Sequence, residues 1–242
     1  MSIFPDEVVF FGDAPGQPEV TIIGGRTYHR GQFYDDVPVE HFKKGGFHVA
    51  GELDGMTVVH KTPKRRGLVL GAAPCLFDDR AAADILTGGG WEIIAVNEAG
   101  VLFDRIDLFC SIHGMNLNKW IEMREELGYD MDFDAYGNYT RNEKSDDRVF
   151  EWNRPNGAGS SGLYAVLIAL EFGFDKLILC GMPLEGCDHI VSSGEVEVAQ
   201  TPYRHYQRGW ILREGILSKH VRSMSGWTRE KFGGPTAEWL NE

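Results

Sequence analysis

The hydrophobic rhythm of the chain changes once. Through residue 66 the apolar positions come in short β-branched runs, Val20-Thr21-Ile22-Ile23 and Met56-Thr57-Val58-Val59. Gly24-Gly25, Gly31, Gly45-Gly46 and Gly51 separate them. No helical repeat longer than two turns can be drawn there, so the pattern predicts a small β-rich module over residues 1–62. Lys61-Thr62-Pro63-Lys64-Arg65-Arg66 reads as a solvated linker. From Gly67 apolar strands alternate with helical periods. Leu68-Val69-Leu70-Gly71 predicts a buried strand closed by a glycine turn, and strands follow at 91–96, 106–112, 176–181 and 220–224. Helices are expected at 78–86, 117–127, 160–172 and 203–218. Residues 129–156 lack any period and read as a lid over the domain.

Near-continuous apolar strands alternating with helices imply a mainly parallel sheet covered on both faces. The expected fold is therefore a Rossmann-like three-layer α/β domain over residues 67–226, with residues 227–242 as a C-terminal extension. Such sheets bind ligands beyond the carboxyl ends of their strands.

Composition narrows the function classes. Of 242 residues, 43% are hydrophobic and 25% charged, enough for a packed core. The net charge is -12. Residues 1–66 hold nine acids and eight bases, and residues 67–242 hold 27 and 16. An acidic domain of this kind argues against a duplex nucleic-acid binder. Cys75, Cys110, Cys180 and Cys187 form no CxxC pair and read as reduced thiols. No apolar run is long enough for a membrane span, and the first residues do not resemble a leader, so the expected location is the cytoplasm.

The candidate chemistry falls at predicted strand ends. Gly71-Ala72-Ala73-Pro74-Cys75-Leu76 follows the first strand but is neither a GxGxxG fingerprint nor a Walker loop. Its backbone N–H groups can still meet a phosphate or ribose, and an ordinary βα turn explains it equally well. Asn97 ends the second strand with both a donor and an acceptor. Ser111 and His113 end the third, and His113 can carry a proton near neutral pH. In Gly157-Ala158-Gly159-Ser160-Ser161-Gly162, helix capping accounts for the serines. The flanking glycines would let an anion approach the positive helix end. In Thr201-Pro202-Tyr203-Arg204-His205-Tyr206-Gln207-Arg208, the two arginines are four apart and can clamp a phosphate. His205 is a candidate general base. Asp130-Met131-Asp132-Phe133-Asp134 starts like a calcium loop but has Ala135 for the required glycine and Arg141 for the closing glutamate. Cys187-Asp188-His189 lacks a second ligand pair at zinc spacing.

Taken together these stretches resemble a Rossmann-like group that contains bacterial CMP-sialic-acid-dependent sialyltransferases and an archaeal 6-hydroxymethylpterin pyrophosphokinase family. The resemblance rests on residues 69–76, on 94–97, and on 160–182 with Ala165, Ala169, Leu170, Gly173 and Phe174. It implies a cytidine nucleotide donor held by Gly71, Asn97, Ser161 and Gly162. It further implies Tyr203 or Tyr206 on the donor phosphate and His205 as general base. Ala73 and Cys75 depart from the family loop Gly-x-Gly-Pro-Ser-Leu, and Ala72 stands where the sialyltransferases place a nucleotide-contacting asparagine. These departures count against CMP-sialic acid in particular and leave a nucleotide-shaped cleft. Thr27-Tyr28-His29-Arg30-Gly31-Gln32-Phe33-Tyr34 is similar to small β modules of tailed-phage proteins, which implies a phage- or bacterium-encoded chain.

The expected protein is a transferase whose partner is a small nucleotide or nucleotide sugar. Gly71, Asn97, Ser160, Ser161 and Gly162 would hold the donor, with Tyr203, Tyr206, Arg204 and Arg208 near its phosphates. His205 and His113 are the catalytic candidates, and no protein-bound metal is required. Two alternatives stand beside it: a non-catalytic nucleotide-binding or phage assembly protein, and pyrophosphokinase-like transfer with Mg²⁺ held by acids such as Asp130 to Asp134.

Overall fold

The computed structural model describes residues 65–138, 148–151, 159–185 and 203–241 with their side chains. It also gives the backbone of strands at 9–11, 20–23, 26–29, 33–34, 47–53, 56–61, 189–190 and 196–197. Chain contacts divide it into two compact units, Met1–Lys64 and Arg65–Glu242.

In the first unit, β1 (Val9–Phe11), β4 (Phe33–Tyr34), β5 (Phe47–Leu53) and β6 (Met56–Lys61) form a four-stranded sheet in the order β4-β1-β6-β5. β2 (Val20–Ile23) and β3 (Arg26–His29) pair antiparallel as a separate ribbon.

The second unit is a Rossmann-like three-layer α/β domain. Its strands are β7 (Arg65–Leu70), β8 (Glu92–Val96), β9 (Leu108–Ser111), β10 (Asp134–Gly137), β11 (Val149–Glu151), β12 (Phe174–Cys180) and β15 (Val221–Ser223). They form one seven-stranded sheet in the order β11-β10-β9-β8-β7-β12-β15, and every pairing is parallel. The short β13 (His189–Ile190) and β14 (Val196–Glu197) pair antiparallel on their own.

Period-2 burial on both faces explains why these strands read as continuous apolar runs. Leu68, Leu70, Ile178 and Cys180 face a cluster with α1 (Leu76–Thr87) and α2 (Gly114–Glu126). Val69, Ile94, Leu177 and Leu179 face α3 (Ser161–Glu171), α4 (Tyr203–Ile211) and α5 (Glu214–His220). Cys110 and Cys180 are fully buried packing residues, and burial pushes both thiols far above their usual range. Among the described residues no helix is long and apolar enough to cross a membrane.

The structure differs from the sequence expectations in three places. The region read as a lid contains β10, which extends the sheet by pairing with β9, and β11, which pairs with β10. Residues 139–147 and 152–156 of that region lie outside the described residues. The expected long helix breaks at Leu212-Arg213 into α4 and α5. The expected C-terminal extension packs into the domain through α6 (Gly226–Phe232) and α7 (Ala237–Asn241). Phe232, Trp239 and Leu240 are buried, and Lys176 donates its Nζ–H to the Trp239 carbonyl.

Candidate functional site

Strand order reverses direction at β7: the chain first builds outward through β8 to β11, then returns to add β12 and β15 on the other side. At such a switch point the turns leave in opposite directions and open a crevice at the carboxyl edge. A cavity of about 380 Å³ lies there. Its walls come from the ends of four strands: Gly71-Ala72-Ala73 after β7, Asn97-Glu98 after β8, Ile112-His113 after β9 and residues 181–184 after β12. The start of α3, Gly159-Ser160-Ser161-Gly162, and Tyr203, His205 and Tyr206 of α4 complete it.

The structure thus brings Gly71, Asn97, His113, Ser160, Ser161, Gly162, Tyr203, His205 and Tyr206 to one cavity. Arg204 and Arg208 are not among its lining residues. Both are exposed on α4, without an ion pair or hydrogen bond to a described residue. The phosphate clamp expected from their spacing is therefore absent from this wall, because the face of α4 that carries them turns to solvent. Asp130, Asp132 and Asp134 are also displaced from the cavity. They precede or begin β10, which puts them at the amino edge of the sheet, about 10 Å or more from the carboxyl edge at 3.3 Å per residue. The Mg²⁺ site expected from those acids cannot serve this cavity. Among the described residues no group of three His, Cys, Asp or Glu could hold a metal ion, and Glu98 is the single carboxylate on the cavity wall. Cys187-Asp188-His189 lies outside the described side chains.

Two glycines expected at the ligand, Gly71 and Gly162, also make room for a side chain. A Cβ on Gly71 would lie 2.3 Å from Met182 Cγ and 2.6 Å from the Gly181 carbonyl oxygen. A Cβ on Gly162 would lie 2.6 Å from Met182 Sδ. Met182, 7% exposed, therefore fills the floor between the two turns. Behind it the floor is tied down. Asp79 Oδ2 accepts from Gly181 N–H at 2.9 Å and from the Ser225 hydroxyl at 2.6 Å, and the Thr228 hydroxyl donates to the Met182 carbonyl at 2.7 Å.

The internal hydrogen bonds decide what the wall has left to offer. Ser160 Oγ caps α3 by accepting from Leu163 N–H at 3.3 Å, and it also accepts from Trp210 Nε1–H at 3.3 Å. Both its acceptor positions are thereby used, leaving its hydroxyl proton to donate. Ser161 Oγ accepts from Ile112 N–H at 3.3 Å, which ties α3 to the end of β9. Asn97 Oδ1 accepts from the Ser111 hydroxyl at 2.8 Å. The first N–H groups of α3 have no intrahelical acceptor, and the helix end carries positive potential. The wall thus offers donors from Ser160, Asn97 and the start of α3 beside one carboxylate, that of Glu98.

Strain concentrates in the same place. Among the described residues only Asn97 (φ 53°) and Leu184 (φ 48°) are non-glycine residues in the left-handed region, and both line the cavity. Asn tolerates that region through local hydrogen bonding, whereas for Leu it costs about 1–2 kcal/mol. Gln207 Nε2 donates to the Leu184 carbonyl at 2.8 Å and holds that strained turn against α4. His113 and His205 are exposed, and neither imidazole hydrogen-bonds a described residue. His205 sits edge-on to Tyr206, with ring centroids 6.3 Å apart.

Sequence reading missed Glu98, Pro183 and Leu184 on the wall. The strand ending at Cys180 was expected, and its carboxyl-end turn was the signal that would have found the last two.

No protein-family model matches the chain, and no curated protein does. Among solved structures it is similar to the MAf glycosyltransferase from Magnetospirillum magneticum AMB-1, with 14% sequence identity and a TM-score of 0.48. The match covers 68% of this chain and 33% of that one, so the chain spans about a third of that protein's length.

Proposed function

We propose that the chain is a transferase that binds a nucleotide or nucleotide-activated sugar in the cavity and moves the glycosyl group to an acceptor hydroxyl. The observation that carries this reading is the wall itself. Ser160, Asn97 and the start of α3 line a cavity at the switch point of a parallel sheet, and the hydrogen bonds within the chain leave donors on Ser160, on Asn97 and on the first two N–H groups of α3. Donors converging at a helix N-terminus suit the phosphate oxygens of such a ligand.

In this reading His205 takes the proton of the acceptor hydroxyl as its oxygen attacks the anomeric carbon. The bond from that carbon to the donor phosphate breaks, and the nucleotide leaves with the electron pair. Charge then grows on the phosphate oxygen, where the α3 donors stabilise it. Tyr203 and Tyr206 stand beside the same wall for a further phosphate contact. His113, on the β9 side, is a second proton carrier.

Calorimetric titration with CMP, CDP, UDP and ATP tests the ligand class, and absence of heat with all four ends the transferase reading. His205→Ala should abolish transfer and leave nucleotide affinity within about twofold. A parallel loss of affinity would make His205 a ligand contact and not the base.

A further inference from the structure

We infer that Ser111 is a positioning residue that commits Asn97 to donate, so that the ligand group docking over the end of β8 accepts hydrogen bonds. This deepens the reading above and rests on the cavity being the ligand site. Ser111 is fully buried and is not a lining residue. Its hydroxyl accepts from His113 N–H at 2.9 Å and donates its one proton to Asn97 Oδ1 at 2.8 Å.

Proton counting fixes the direction of the amide. Were the Asn97 carboxamide turned over, its NH₂ would take the second acceptor position of Ser111 Oγ, beside His113 N–H, and the Ser111 proton would lose its acceptor on Asn97. The Ser111 proton would then have only the His113 carbonyl, at 3.5 Å, which is a poor acceptor position. The observed arrangement satisfies every group in the chain and leaves the NH₂ as the polar atom Asn97 has for the cavity. The left-handed backbone at Asn97 places that side chain on the wall. The consequence is a selectivity rule: a carbonyl, ring-nitrogen or phosphoryl acceptor is taken at this position, and an amine or ammonium is refused.

The test has a ligand-free arm and a binding arm. In ¹⁵N spectra of the unliganded full chain, the Asn97 side-chain NH₂ pair, assigned by its loss in Asn97→Asp, should exchange rapidly with water. In Ser111→Ala the pair should shift or double as both orientations are populated. A protected pair, or one unmoved by Ser111→Ala, overturns the inference. In the binding arm, Ser111→Ala and Asn97→Ala should each weaken CMP about tenfold, and the double variant no more than Asn97→Ala alone. Additive losses would mean that Ser111 acts structurally, and they too overturn it. Asn97→Asp, which keeps the shape and the bond from Ser111 but replaces the donor by an anion, should weaken CMP about a hundredfold. Should Ser111→Ala fail to fold, Ser111→Cys keeps the bulk with a weak donor and should show the same amide shift. If CMP binds no variant, wild type included, while the amide behaves as stated, the nucleotide reading falls and the positioning role stands.

Discussion

The two rims of the central sheet are built from the same strands and treat their polar groups in opposite ways. At the amino rim several charges are answered within the chain. Arg65 forms a bidentate pair with Glu92 and lies 4.1 Å from the Phe174 ring centre; the hydrogen bond to Glu92 holds its guanidinium above its usual range. Asp107 Oδ2 accepts from Ile93 N–H at 2.6 Å, and His220 Nδ1 lies 2.8 Å from the Asp175 carbonyl oxygen. Arg124, fully buried, donates to the carbonyls of Gly100, Phe103, Asp104 and Asp130. At the carboxyl rim the pattern inverts: Ser160 Oγ accepts twice and Asn97 Oδ1 accepts from Ser111, and both side chains keep donors left over. Saturated polar groups hold a fold together, and unsaturated ones facing a cavity are what a ligand can use.

The contrast can be attacked at both rims. The largest effect is expected at Arg124. Arg124→Leu strands several carbonyls that are now paired and should lower stability by about 3 kcal/mol or more, read from urea unfolding. A small loss would mean that water replaces the guanidinium and that the amino rim is less closed than described. Gly71→Ala comes next, at about 1–3 kcal/mol, because its Cβ meets Met182 and the Gly181 carbonyl. Combining it with Met182→Ala should recover only part of the loss, since the backbone oxygen remains. Full recovery would assign the glycine to Met182 alone. Arg65→Met should cost about 1 kcal/mol or less, since both partners are about a third exposed. At the smallest end, His205→Ala should leave the urea midpoint unchanged while transfer disappears. A destabilised His205→Ala would move that histidine into the saturated class.

How much of this was legible in the sequence follows from what each signal measures. Leu68-Val69-Leu70 and Leu177-Ile178-Leu179 announced buried strands because both faces are covered, and Ser160 announced a helix start because capping is local. β10 was invisible: Asp134-Ala135-Tyr136-Gly137 has little β preference and becomes a strand only by pairing with β9. The break at Leu212-Arg213 was equally hidden, since Trp210 and Leu217 are both buried and seven apart, as one continuous helix would require. The candidate residues were found by one rule, that polar residues at the carboxyl ends of parallel strands face the crevice. The rule picks out Gly71, Asn97 and His113, which line one cavity, and says nothing about which way a helix turns its arginines. It was also silent on Met182, because a glycine that accommodates a neighbour and one that admits a ligand look alike in sequence.

The interior position of β7, between β8 and β12, has a consequence for how the domain comes into being. One neighbour, β8, follows it closely, but the other begins at Phe174, after three more strands and two more α-helices have been laid down. Pairings that distant are slow to form, because a long stretch of chain must be closed before any contact rewards it. During synthesis the first half of the sheet must therefore wait with one edge of β7 open. The crevice between the two turns comes into existence only when the late strand docks, so binding competence should be the last property a nascent or refolding molecule acquires.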